Sequence, residues 1–134
     1  MNPKADTVKT VVADKAVARG RRAKATQFLR VAEDARELSD DEEDVCDAVV
    51  TLYVHAGIAA ADAICAAALG KHAQGHSHND AVVLLASVNK QASKSLSTLL
   101  GMKTRAGYGH DPVNKSQLAR AEKAARALVD RASL

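Results

Sequence analysis

The chain has 134 residues, a length that fits one domain, and 47% of them are apolar, enough for a core. Aromatic residues make up only 2% (Phe28, Tyr53 and Tyr108), so that core is built from Ala, Val, Leu and Ile, which favours closely packed helices over a sheet. The net charge of +3 conceals a division: nine Lys/Arg against five Asp/Glu in residues 1–38, none against seven in 39–70, and ten against four in 71–134.

Basic end segments suit the attraction of nucleic-acid phosphates. They also serve to offset the acidic middle, within the fold or between subunits, and the lack of aromatic interleaving favours this second reading. No apolar run stays free of polar residues long enough to suggest a membrane span. Residues 1–10 hold no apolar stretch of signal-peptide type. Cys46 and Cys65 lack metal-ligand spacing and read as small buried groups. The expectation is a cytoplasmic protein without membrane attachment and without a cofactor.

In chain order, a first helix is expected over about 8–38, with Ala25, Phe28, Leu29, Ala32 and Ala35 on one stripe. Gly20 is a candidate break, dividing residues 1–20, as a separate helix or arm, from a bundle over 21–134. Ser39 and Glu42 fit a capping box, and the acids Asp40 to Asp44 suit the positive end of a second helix. That helix is apolar on nearly every side, so it should be central, with Gly70 placed to end it. Residues 71–78 read as a connector, and Ser77 with Asp80 repeats the capping pattern, with Asn79 an alternative cap. Ala81, Leu85, Val88, Ala92, Leu96 and Leu99 give a third helix up to Gly101. After a second connector containing Pro112, Asn114 and Gln117 open a last helix striped by Leu118, Ala121, Ala125, Leu128 and Ala132. The expected fold is an all-α bundle of four to five helices.

Three segments carry a family resemblance. IAAADAICAAALG (58–70) resembles a central helix interrupted by one acid, Asp62. HSHNDAVVLL (76–85) is similar to a His-Asp-apolar helix entry. KTRAGYGHDPV (103–113) with LARAEKAARALV (118–129) resembles a final connector and helix. In this order, over roughly residues 22–132, they resemble the HEPN family of helical bundles. The resemblance implies a cytoplasmic, dimeric protein. It points to a metal-independent endoribonuclease of toxin–antitoxin or defence type, or to a catalytically inert module that binds RNA, nucleotide or a protein such as an antitoxin or nucleotidyltransferase. The family's signature is Arg, four to six residues, His, which Arg105 and His110 satisfy. Ala106 stands where the family commonly has a polar residue, and Pro112 puts His110 in the connector rather than in the last helix.

On that reading His110 is the base or acid for attack by a ribose 2′-hydroxyl. Arg105 holds two phosphate oxygens, Asp62 orients Arg105, and a two-fold dimer doubles the set. Lys103, Gly107, Tyr108 and His55 are the accompanying substrate-binding residues. The plain alternative has Arg105 satisfying a buried Asp62, Tyr108 plugging the bundle end, and His110 in a turn. His55 on its own reads as a core residue beside a polar neighbour. His72, His76 and His78 with Asp80 offer imidazole and carboxylate ligands for zinc or nickel, although a solvated polar turn fits that glycine-containing loop better.

Overall fold

A computed structural model describes residues 5–75 and 77–134. The elements in chain order are β1 (Thr10–Val12), α1 (Lys15–Leu38), α2 (Cys46–Leu69), β2 (Lys71–Ala73), α3 (His78–Ala86), α4 (Lys90–Leu100), α5 (Lys103–Gly107) and α6 (Lys115–Ala132). Among the described residues the bundle is helical apart from one small ladder, in which β1 pairs antiparallel with β2, Thr10 opposite Ala73.

α2 is the axis of the core. Val49, Val50, Tyr53, Val54, Ala56, Ala59 and Ala60 on it are fully or almost fully buried, and α1, α4, α5 and α6 pack around it. Small residues set the spacing. A Cβ at Gly57 would run into Leu99 of α4 and press on Leu128 of α6, so α2 approaches both helices closely at this point. The helix ends at Gly70, whose φ of 69° lies in the left-handed region where glycine carries no Cβ penalty. α2 also corrects the expectation that no segment is apolar enough to span a membrane. Its 24 residues reach a mean hydropathy of 1.6 in the most apolar window, and 67% of that window is buried in the bundle.

Several boundaries differ from expectation. α1 runs unbroken through Gly20, because an Asp14 side chain caps it at Val17 and no neighbour crowds the glycine. Residues 10–12 are strand rather than helix, and the expected arm is tied to residues 71–73. Residues 1–4 lie outside the described residues. The Ser39–Glu42 box does not form. Ser39 closes α1, Glu42 begins a 3-10 turn (Glu42–Asp44), and its carboxylate is taken by Arg36. The expected third helix is two helices, because the Asn89 side chain accepts the Ala92 N–H and starts α4 afresh. Ser77 caps α3 by accepting the Asp80 N–H, and Asn114 and Gln117 make the full reciprocal box at α6. The stripe of α6 is buried from Leu118 to Ala132.

Candidate functional site

The 103–113 stretch is not a plain connector. Its first half is α5, a short helix packed on α2, closed by the Tyr108 and Gly109 N–H groups both donating to the Thr104 carbonyl. Its second half is pinned at Val113. That residue is buried, its N–H donates to Asp47 Oδ1 at 2.9 Å, and its carbonyl accepts from the Cys46 thiol. Between these anchors residues 108–112 stand out from the bundle.

Four of the expected substrate-binding residues converge. His55, Lys103, Gly107 and Tyr108, with Thr51 and Val54, line one cleft between α2 and α5. Tyr108 is 80% exposed at its rim, so it does not plug the bundle end. His55 is exposed rather than buried in the core, and its ring rests against Phe28 with centroids 5.7 Å apart. Gly107 leaves ordinary room beside Thr51. The glycine that allows close backbone approach is Gly109, where a Cβ would press on the Arg105 backbone at 3.3 Å.

The expected catalytic residues are placed differently. Arg105 is exposed on α5 and donates to the Pro112 carbonyl at 3.3 Å. His110 is exposed to 96% of its side chain, with Asp111 3.9 Å away. Neither lines the cleft. Asp62 is not the partner of Arg105. It lies about 16 Å along α2 beyond Thr51 at 1.5 Å rise per residue, and it accepts from Arg21 Nε at 3.1 Å and Nη2 at 3.0 Å. His72 Nδ1 stands 3.9 Å from its other oxygen. Burial pushes the Asp62 carboxyl above its ordinary range, and Arg21 and His72 pull it back only in part. Sequence reading could not supply Arg21, because it stands 41 positions from Asp62 and is one of nine cations in its segment.

A small cavity of about 70 Å³ adjoins Asp62, lined also by Ser77, His78 and Lys103. Lys103 Nζ donates to His78 Nε2 at 3.4 Å, so this lysine touches both the cavity and the cleft. His72 Nδ1 donates instead to the Ala73 carbonyl. No group of three metal-ligating side chains forms among the described residues, and His76 of the expected cluster lies outside them.

A second polar cluster holds the bundle together. Tyr53, fully buried on α2, accepts from Arg36 of α1 at 3.3 Å and places its single hydroxyl proton between Glu33 at 3.0 Å and Glu122 at 3.2 Å. Arg36 also contacts Glu122 directly and Arg126 pairs with Glu33. Burial drives the Tyr53 phenol well above its ordinary value, reinforced by the two carboxylates against the pull of Arg36. Burial also acts to raise Glu33, yet hydrogen bonds from Arg126 and Tyr53 outweigh it and hold that carboxyl below its ordinary value. Cys65, buried beside Asp62, has its thiol pushed up to about 12, mainly by burial, which removes it as a nucleophile at neutral pH.

No family model and no curated protein matches the chain.

Proposed function

We propose that the chain is a HEPN-like helical module that binds single-stranded RNA at the cleft between α2 and α5. The observation that carries the reading is the convergence there of Lys103, His55 and an 80% exposed Tyr108. A lysine supplies charge for a phosphate, and an exposed aromatic face is a platform on which any base can stack, worth about 1–3 kcal/mol per base. The HEPN assignment rests on the sequence resemblance together with the all-helical bundle around an apolar central helix. It carries with it a cytoplasmic homodimer and a protein partner of antitoxin or nucleotidyltransferase type.

The test is fluorescence anisotropy with a labelled single-stranded RNA at low salt. Tyr108→Ala is expected to weaken binding about tenfold, from the stacking term. Unchanged affinity in Tyr108→Ala would remove the cleft as the site.

The second reading is a metal-independent endoribonuclease. It is favoured by the exposure of both Arg105 and His110, five positions apart in one segment, where a second copy could add its own pair. The composite site then forms only in the dimer. Cleavage that persists with a chelator and disappears in Arg105→Ala and His110→Ala supports this reading. Binding without cleavage in a dimer established by light scattering leaves the inert module.

A further inference from the structure

A groove between α4 and α6 shares no residue with the α2/α5 cleft. One wall is Gln91, Lys94, Ser95 and Thr98 of α4, and the other begins with Arg120 and Lys123 of α6. Ala124 and Ala127 complete the second wall and keep side-chain bulk out of the channel. Both walls follow the same i, i+3, i+4, i+7 spacing, which holds one helix face over about 10 Å.

The charge in the groove is uncompensated. Lys94, Arg120 and Lys123 are exposed, and none of them is in an ion pair among the described residues. α4 contains no Asp or Glu. On α6, Glu122 is turned toward Arg36 and Tyr53 on the side of α1 and α2, and Asp130, the other acid of this helix, lies beyond Ala127 and does not line the groove. The Gln91 amide and Ser95 hydroxyl add neutral donors suited to phosphate oxygens. No aromatic residue lines the groove, so its contacts fit a backbone rather than stacked bases.

We propose that the α4/α6 groove is a phosphate track for single-stranded RNA, held by Lys94, Arg120 and Lys123 and separate from the base-stacking cleft. The choice of RNA as occupant rests on the reading above; the three free cations and the matched walls do not.

The experiment is a salt titration of anisotropy with a labelled oligouridine, between about 50 and about 200 mM monovalent salt. Each single-strand phosphate contact contributes a log–log slope of about 0.7, so the triple variant Lys94→Ala, Arg120→Ala, Lys123→Ala should lower the slope by about 2. Its affinity at the low-salt end should fall at least about tenfold. A triple variant of exposed α1 cations, Arg19→Ala, Lys24→Ala and Arg30→Ala, removes the same net charge and should leave the slope nearly intact, while circular dichroism verifies that each variant is folded. Tyr108→Ala should weaken binding without changing the slope. Wild-type affinity and slope in the triple variant would overturn the groove and leave the cleft standing. Loss in the triple variant with none in Tyr108→Ala would support the groove and overturn the cleft. A wild-type chain that binds no RNA at the lowest salt would overturn both.

Discussion

Tyr53 is where the polar interior is concentrated. Its hydroxyl ties α2 to Arg36 and Glu33 of α1 and to Glu122 of α6, and no buried side-chain polar atom among the described residues lacks a partner. Tyr53→Phe keeps the ring and removes the hydroxyl, leaving Arg36 and two carboxylates to share fewer bonds. The expected loss is about 1–3 kcal/mol in urea unfolding. Asp62 behaves in the opposite sense. Burial raises its carboxyl despite Arg21 and His72, so ionisation there is disfavoured relative to water. Asp62→Asn retains an oxygen for Arg21 and removes the charge. Its expected effect at neutral pH is under about 1 kcal/mol, and a loss of about 3 kcal/mol or more would show that the ion pair is net stabilising after all.

At the scale of elements, the starts of α1, α3, α4 and α6 are set by single capping side chains, and the close approach of α2 to α4 and α6 by a small residue. The reciprocal box at α6 satisfies two backbone N–H groups, and Asn114→Ala should cost about 1 kcal/mol in chemical denaturation. Asn89 caps α4 in one direction only, its side chain accepting the Ala92 N–H, and it explains how one apolar stripe became two helices. The stripe from Ala81 to Leu99 stays on the inner side across the break, because the interruption is only three residues long. At Gly57 two effects oppose. Ala would gain about 1 kcal/mol of helix propensity over Gly, yet its methyl meets fully buried Leu99 and Leu128, and overpacking costs about 1–3 kcal/mol. The packing term is the larger, so Gly57→Ala should lower the thermal midpoint.

Across the whole molecule, pH dependence should follow the Tyr53 cluster at both ends. Glu33 is held below its unfolded value, so its contribution is present above about pH 4.3 and is lost as pH falls through its lowered folded pKa. Tyr53 is held above its unfolded value, so its contribution is fully present below about pH 10 and is lost as pH rises through the raised folded pKa. Asp62 runs against Glu33 in acid, its contribution being full below about pH 3.9 and lost as pH rises through its raised value. Urea midpoints measured across pH should therefore fall above about pH 10 in the wild type. In Tyr53→Phe the part of that fall due to Tyr53 should be absent.

What the sequence by itself determined was local. The helical class, the central position of the apolar helix, its glycine stop, and the caps at Ser77 and Asn114 all follow from neighbours within four residues, the range over which backbone hydrogen bonds and helix faces are decided. His55, Lys103, Gly107 and Tyr108 could be named from sequence, but that they share a cleft depends on α5 lying against α2. Only the tertiary structure decided which charges meet. Arg21 takes Asp62 from 41 positions away, Arg36 takes the Glu42 that a capping box would have used, and three residues before α1 pair with residues 71–73. Burial sets such choices. A partly buried carboxylate is matched to whichever cation the packing brings within about 3 Å, and with nineteen Lys and Arg in the chain, spacing alone could not say which. The same reason left Lys94, Arg120 and Lys123 unrecognised, since their common face exists only once α4 lies beside α6.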